Sequence, residues 1–196
     1  MKKILLLIVF VIGIFIFDSH AYAEPTVEAP SCKALIGFKY YNTATWGITT
    51  KEVREKIIDE RIAPLLAKNK CEMITDEKYL VKLQERGYSD YSSAEKADLL
   101  DIYKNEGLRY LIFIEVEPLR RANPFGYESS AHVKIIDTEF SKYMFNGKIY
   151  KVTKWGGGGT VFEELGDDIK KILHEKVLES KIRSTNESQP KNIDKD

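Results

Sequence analysis

The segment Arg109–Pro118, which reads Arg-Tyr-Leu-Ile-Phe-Ile-Glu-Val-Glu-Pro, constrains the fold more than any other part of this chain. Five apolar residues run without interruption from Tyr110 to Ile114, and polar and apolar residues alternate after them. A short continuous apolar run is typical of a strand that is covered on both faces. Gly107 ends the helical pattern before the run, and Pro118 stops regular pairing after it. We therefore predict that this segment is the central strand of a sheet.

The first 23 residues have the pattern of a secretory signal peptide. A basic start precedes an uncharged apolar stretch over residues 4–17, and residues 21–23 read Ala-Tyr-Ala, the small-x-small site of signal peptidase. The apolar stretch is shorter than the roughly 20 residues that a membrane-spanning helix needs. A lipid anchor is disfavoured because Ala29-Pro30-Ser31 is a poor lipobox before the first cysteine, Cys32. We expect an exported protein, periplasmic or extracellular, with no membrane span after cleavage and an extended leader over residues 24–32.

The mature chain has almost no net charge. Cleavage after residue 23 removes two lysines and one aspartate, which leaves 28 basic and 29 acidic residues and a net charge of −1. A nearly neutral chain without a basic stripe has no long-range attraction for nucleic acid or for an anionic membrane surface. We therefore expect no nucleic-acid partner.

Two cysteines, Cys32 and Cys71, remain after cleavage. In an oxidising compartment a lone pair of cysteines is most simply a disulfide. Each stands at the start of a predicted strand, and the starts of neighbouring parallel strands lie about 5 Å apart, within disulfide reach. The alternative is a pair of buried free thiols, since cysteine is often buried without pairing.

Hydrophobic periodicity predicts the order β-α-β-α-α-β-β-β-α for a single α/β domain over residues 33–182. Three capping boxes, which open with Thr49, Ser92 and Thr160, predict helix starts. Pro64 is expected to kink the first helix or to end its regular part. Strand–helix–strand units imply parallel pairing, and the closing strands imply an antiparallel extension, so the sheet should be mixed with helices packed on it. Residues 183–196 have almost nothing to bury and are predicted to be disordered.

The connection between the last two predicted strands has two readings. Asn146-Gly147 is a favoured two-residue hairpin turn, but it would pair only short arms. A turn over Thr138 to Lys142 lets both full segments pair and makes Asn146-Gly147 a bulge, and we prefer this second arrangement.

Candidates for chemistry are few. Glu115 and Glu117 share one face of their strand and, with Asp137, could form a cation site or an acid–base pair. The four glycines over residues 156–159 precede a helix and could favour an anion, although no phosphate-binding motif is present. The two mature histidines have no metal-ligand spacing, and no nucleophile motif occurs. We expect no cofactor, no metal and no catalytic residue, and regard the carboxylates as the solvated end of a strand.

Aromatic residues are the remaining candidates for function. Tyr40, Tyr41 and Trp46 lie in one predicted loop, and Trp155 ends the last predicted strand. Tyrosine and tryptophan are favoured at contact surfaces because they bury a large area at low entropic cost. These four residues are therefore candidate partner contacts, with the alternative that they fill the core or cover sheet edges.

The chain also resembles a family of cell-envelope proteins. The matching segments are Ala34-Leu35-Ile36-Gly37-Phe38, the entry Gly107-Leu108-Arg109-Tyr110-Leu111-Ile112 to a buried strand, a strand that ends in Ile136-Asp137 and a last strand that reaches Trp155. The family includes the LpoB-like activators of penicillin-binding proteins, the curli secretion lipoprotein and the amino-terminal domain of the Tol translocation protein TolB. The resemblance covers residues 33–180 and implies a non-catalytic module that contacts other proteins in the envelope. The chain differs from this family in lacking a lipobox.

Two functions follow from these observations. The first is a secreted or periplasmic non-catalytic binding or scaffolding domain with a protein partner in the cell envelope. The alternative is a small-molecule or anion-binding protein, or a hydrolase, that uses the sheet end near Glu115 and Glu117 and the glycine loop. An exposed aromatic or apolar patch would favour the first function. A closed pocket with convergent polar groups would favour the second.

Overall fold

The computed structural model describes residues 32–42, 46–75, 77–123, 125–154 and 157–178 of the 196-residue chain. The predicted signal peptide, the leader as far as Ser31 and the predicted tail lie outside these residues. The described residues form a mixed six-stranded sheet with helices on both faces, which confirms the predicted α/β class. None of the described helices has the length and apolar character needed to cross a membrane.

The structure contains one strand more than the sequence pattern predicts. The strands are β1 (Cys32–Tyr40), β2 (Cys71–Ile74), β3 (Tyr110–Val116), β4 (Arg120–Asn123), β5 (Gly126–Asp137) and β6 (Lys142–Thr153). The helices are α1 (residues 50–68), α2 (Glu77–Glu85), α3 (Lys96–Tyr103) and α4 (residues 158–178). The additional strand is β4, whose sequence Arg-Arg-Ala-Asn lacks the apolar alternation by which strands are recognised.

Strand β3 is central, as predicted, and every one of its residues is buried. It pairs in parallel with β1, which in turn pairs in parallel with β2, and it pairs antiparallel with β5. Strand β6 pairs antiparallel with β5 over residues 127–137 of β5. Because β3 pairs with residues 131–137 of β5 and β4 with residues 126–128, β4 continues along the edge of β5 that β3 uses. The expected combination of parallel and antiparallel pairing is confirmed.

Helix α1 begins at the predicted capping box. Thr49 accepts a hydrogen bond from the amide of Glu52, and the Glu52 carboxylate accepts one from the amide of Thr49. The helix then contains a π-helical stretch, Glu55–Ile62, directly before the segment with Pro64, and continues to Lys68. Proline lacks an amide hydrogen and its ring crowds the carbonyl four residues earlier, so a widened turn before it accommodates the ring. Pro64 therefore interrupts the regular helix without ending it.

The other two predicted capping boxes do not form. Helix α3 begins at Lys96 with Glu95 at its N-cap, because the backbone of Ser92 is held by tertiary contacts to the sheet. Helix α4 begins at Gly158, two residues before Thr160, with Gly157 at its N-cap. A Cβ atom at Gly158 would collide with Leu119, so glycine permits the close approach of helix and sheet there.

The β5–β6 hairpin has the longer arms that we preferred. Asp137 pairs with Lys142, and the turn places Ser141 in the left-handed region at φ 49°. The predicted bulge at Asn146-Gly147 is wrong, since both residues pair regularly with β5. The irregularity lies instead at Met144, because Phe145 pairs with Ile135 and Tyr143 with Ile136.

Each face of the sheet has its own apolar core. On one face, which we call the α1/α4 face, Ile36, Ile112 and Val133 pack with α1 and α4. On the opposite face, the α2/α3 face, Leu35, Leu111 and Phe113 pack with residues from α2, α3 and the loops beside them. Three layers of helix, sheet and helix result, and β3 contributes to both cores through alternate residues.

The α2/α3 face is covered only in part. Its core ends at Phe113, and Gly37 beside it leaves room for Phe113, whose ring a Cβ atom at this position would approach to 2.5 Å. Further along β5 and β6 the residues on this face are polar, as at His132 and Lys148, or exposed, as at Tyr150. The carboxyl ends of β1 and β3 therefore lie beside an open, polar part of the sheet.

The predicted disulfide is present. Cys32 and Cys71 are paired residues at the starts of β1 and β2, both are buried, and their sulfur atoms are bonded. The bond closes a loop with a sequence separation of 39 residues that contains all of α1. It thereby ties the short edge strand β2 to the rest of the sheet.

We expect the double variant Cys32→Ser, Cys71→Ser to lose about 3–4 kcal/mol of unfolding free energy, because its unfolded chain is no longer constrained by the loop. Urea unfolding of the mature protein measures this loss. The wild-type protein in reductant should show the same loss, and reductant should leave the variant unchanged. Equal stabilities of the oxidised wild type and the variant would contradict the prediction.

Candidate functional site

The open part of the α2/α3 face carries a three-by-three array of side chains on neighbouring strands. The rows are Glu115, His132 and Lys148, then Glu117, Ser130 and Tyr150, then Arg120, Glu128 and Val152. The rows follow from the pairing register of the strands. The amide of Glu117, directly after β3, donates a hydrogen bond to the carbonyl of Ser130 at 2.8 Å and so continues that register. Alternation along each strand places the members on one face. We call this set the polar array.

Ser130 occupies the centre of the polar array. Its side chain is the smallest of the nine, so its larger neighbours surround a depression with Ser130 at the floor, and only 5% of the residue is exposed. Two adjoining depressions, of about 210 and 460 Å³, share Glu117, Arg120 and Lys148 as lining residues and form one open groove. Ser130 lines the smaller depression. Its hydroxyl has no hydrogen-bond partner among the described residues.

Glu115 is buried and both of its carboxylate oxygens are engaged. One oxygen accepts from the amide of Tyr91 at 2.5 Å and the other from the amide of Ser92 at 3.1 Å. The ammonium group of Lys134, also buried, donates to the carbonyls of Ser92 and Ala94 at 2.7 and 2.6 Å. Glu115 and Lys134 thus fasten the loop before α3 to the sheet, which is a structural role.

The charges of this pair influence the groups around them. Burial lowers the pKa of Lys134, and the negative charge of Glu115 opposes that shift. Burial, and then the charge of Glu115, raises the pKa of Tyr91 to about 12. Tyr91 therefore stays protonated at neutral pH and packs at 5.0 Å between ring centroids on Phe113.

A second charged cluster lies where the same loop meets β1. Asp90 accepts hydrogen bonds from Lys39 and from the hydroxyl of Tyr41, each at 2.5 Å, and from Ser89 at 2.9 Å. These bonds, that from Lys39 foremost, lower the pKa of Asp90 to about 2. Burial and the neighbouring carboxylates raise the pKa of Tyr41. The cluster is a second fastening between loop and sheet.

Several groups of the array remain available to a ligand. Among the described residues, no ion pair engages Glu117, Arg120 or Lys148. Glu128 accepts a hydrogen bond from the hydroxyl of Tyr150. His132 lies 3.2 Å from the side-chain oxygen of Asn146. The groove therefore presents two cations, carboxylate oxygens and a free hydroxyl.

The structure does not bring together the groups that the sequence suggested for chemistry. Glu115 and Glu117 share the groove, but Asp137 pairs with Tyr110 at the other end of β3 and binds Arg109 at 2.9 Å. The glycine-rich start of α4 lies on the α1/α4 face, opposite to Glu115. No group of three or more potential metal ligands occurs in the part of the chain that the structure describes.

The aromatic candidates for partner contact are distributed over both faces. Tyr40 packs edge-to-face on Phe162 at 5.6 Å between ring centroids, within the α1/α4 core. Tyr41 bonds Asp90 beside the groove. Trp46 donates to the carbonyl of Leu119 at 3.0 Å and is 39% exposed. Trp155 lies outside the described residues.

Exposed apolar side chains collect at the end of the sheet where the β4–β5 hairpin lies. Phe125, Tyr150 and Val152 are 66, 57 and 40% exposed, and Trp46 reaches the same end through an edge-to-face contact of 5.5 Å with Tyr127. We call these four residues the hairpin-end surface. Sequence reasoning missed Phe125 and Val152. The alternation of Lys148, Tyr150 and Val152 could have revealed an exposed face, whereas nothing marks Phe125.

Comparisons with known proteins give structural neighbours only. No family model matches the sequence, and no curated protein matches it. The LpoB C-terminal domain from Salmonella enterica is 14% identical with a TM-score of 0.37, over 65% of this chain and 86% of that one. Lipoprotein GNA1162 from Neisseria meningitidis is 11% identical with a TM-score of 0.42, over 74% and 99%. TolB from Acinetobacter baumannii is 11% identical with a TM-score of 0.41, over 76% and 29%.

LpoB and TolB belong to the envelope family that the sequence resembles. Identities below 15% and TM-scores below 0.5 amount to a resemblance of fold at most.

We expect Glu115→Gln to lower the free energy of unfolding by about 1.5–3 kcal/mol, because an amide group has one acceptor oxygen where two backbone amides need one each. Urea unfolding at neutral pH measures the loss. Glu117→Gln is the matched control and should change stability by no more than about 0.5 kcal/mol, since that side chain lies at the open groove. Equal losses in the two variants would contradict the structural role of Glu115.

Asp90→Asn should destabilise the protein by about 1 kcal/mol at pH 7, a value reduced for solvent screening because 32% of the Asp90 side chain is exposed. The ordinary pKa of 3.8 falls to about 2 on folding, so the stabilisation is present above pH 4 and is lost as the pH falls toward 2. The stability difference between wild type and variant, measured by urea unfolding across this range, should shrink accordingly. A difference that does not depend on pH would rule out this account.

Proposed function

We propose that this protein is an exported, non-catalytic binding domain that works by contacting another protein in the cell envelope. Export is supported by the signal-peptide pattern of the first 23 residues and by the disulfide between Cys32 and Cys71, which suits an oxidising compartment. A location in the cell envelope is proposed because the order and pattern of the sequence segments resemble those of the envelope protein family named above. Contact with a protein is supported by the surface of the described residues.

The observation that carries the proposal is the free edge of β6 beside the hairpin-end surface. Strand β6 is 12 residues long and, within the described residues, pairs with β5 alone. A long edge strand presents unpaired backbone groups that can add a strand from another chain. Tyr150 and Val152 on β6, together with Phe125 in the β4–β5 turn, place exposed apolar area at this end of the sheet, and such area is typical of contact sites.

The state of the carboxylates supports binding rather than catalysis. A general acid or base needs an oxygen within reach of a substrate, but both oxygens of Glu115 accept backbone hydrogen bonds. Asp137 is likewise engaged, by Arg109 and by the amide of Phe140. Glu117 remains accessible, but among the described residues it belongs to no group of three or more potential metal ligands.

Site-specific photocrosslinking in the native cell tests the proposal. Benzoylphenylalanine at Phe125 or Val152 of the full chain should form one discrete adduct with an envelope protein, because both positions lie at the proposed contact. Val81 of α2 is the matched control: it is 45% exposed but lies on the helical layer at the other end of the α2/α3 face, so no adduct should form. Adducts at Val81 equal to those at Val152, or none at Phe125 and Val152, would refute the proposed contact.

A further inference from the structure

We propose that the polar array binds an uncharged, hydroxyl-rich ligand, a saccharide, with Ser130 at the floor of the site. This site shares Tyr150 and Val152 with the hairpin-end surface, but it lies in the groove and not at the free edge of β6. The starting observation is Ser130 itself, which is 95% buried by its neighbours yet whose hydroxyl bonds no described residue. The hydroxyl opens onto the smaller depression, since the only buried side-chain atoms without a partner among the described residues belong to Arg109. A hydroxyl that faces an open depression and has no protein partner can donate to and accept from a ligand oxygen.

The charges around Ser130 balance. Glu117 and Glu128 carry two negative charges, and Arg120 and Lys148 carry two positive charges at opposite corners of the array. The third carboxylate of the array, Glu115, is buried and interacts with the positive charge of Lys134 outside the array. A phosphate or carboxylate over Ser130 would gain from Lys148 but would lie beside Glu117, whose backbone is bonded to Ser130 at 2.8 Å. A cation over Ser130 would be attracted by Glu117 but repelled by Lys148. The balance favours a ligand without net charge.

The hydrogen-bonding groups alternate in character. Lys148 and Arg120 can only donate, the carboxylate of Glu117 can only accept, and the hydroxyl of Ser130 can do both. The hydroxyl of Tyr150 donates to Glu128 and can still accept. A sugar hydroxyl is at once a donor and an acceptor, so adjacent hydroxyls on a sugar ring can use such a mixed set together. A simple anion can use only the donors of this set, and a simple cation can use only the acceptors.

The shape also suits a saccharide. The two depressions adjoin and are open to solvent, and the larger, at about 460 Å³, lies within the roughly 300–1,000 Å³ that is usual for small-molecule sites. Tyr150 borders the smaller depression with 57% of its surface exposed, and its aromatic ring can cover the apolar C–H face of a sugar. Because the floor is built on paired strands, its groups are held in place before a ligand arrives.

Nuclear magnetic resonance of the ¹⁵N-labelled mature protein tests this proposal. The neutral probes are maltotriose, cellotriose and triacetylchitotriose, and the ionic probes are inorganic phosphate, an anion, and glycylglycine, a zwitterion. At least one neutral probe should shift the backbone amides of Glu128, Ser130 and Tyr150 in a saturable manner. The amides of the buried residues Leu99 and Leu111, which pack in the α2/α3 core away from the groove, should stay unchanged.

Variants separate binding in the groove from weak surface association. Ser130→Val removes the hydroxyl and fills the depression, and should weaken saccharide binding about tenfold or more. Lys148→Ala should weaken it as well. The matched control is Lys151→Ala, since Lys151 lies on the opposite face of β6, where it pairs with Asp168 at 2.9 Å, and this variant should bind like wild type. Should Ser130→Val fail to fold, the comparison of the two lysine variants still decides.

Three results would overturn the proposal. The first is that no neutral probe shifts the array amides. The second is that phosphate or glycylglycine shifts them at lower concentration than any saccharide. The third is equal binding by Lys148→Ala and Lys151→Ala. None of these results bears on photocrosslinking at Phe125, so failure of this inference and failure of the proposed protein contact can be told apart.

Discussion

The burial of β3 on both of its faces is the constraint on which the other parts of the structure depend. An uninterrupted apolar strand needs a layer on each side, and its alternate residues enter two different cores. The α1/α4 face is filled by two long helices. The α2/α3 face receives two short helices and a loop, which cover the apolar part of β3 but not its carboxyl end. Glu115, the first polar residue of the strand, marks the place where the cover stops.

That incomplete cover creates the polar array. Beyond Phe113 no helix from the described part of the chain packs on the α2/α3 face, and β5 and β6 carry serine, histidine and charged residues there instead of apolar ones. The loop before α3 borders the opening and is fixed by Glu115, Lys134 and Asp90. One surface thus combines a rigid floor with groups that no described residue engages. The same end of the sheet carries the exposed aromatic side chains of Phe125 and Tyr150.

Sequence patterns predict the layers of this fold but not its site. The central strand, the mixed sheet, the Thr49 cap and the disulfide follow from local signals whose effects agree with the tertiary structure. The predicted caps at Ser92 and Thr160 do not form because tertiary contacts override local propensity. The backbone of Ser92 is bonded to Glu115 of the sheet, and the start of α4 at Gly158 packs closely against Leu119. The polar array was inaccessible from sequence, because it depends on the register of four strands. Ser130 has no signal of its own, and its importance comes from the size of its neighbours on β3, β4 and β6.

The two borders of the sheet are unequal. At one, β2 offers four residues and is covalently joined to β1, whereas at the other β6 offers twelve with no described neighbour. Open-ended stacking of copies needs two complementary, extendable borders on every molecule. Among the described residues only β6 provides a border of useful length. A strand added there would find no second extendable border on the same sheet, so the described part of the chain does not favour growth into a filament.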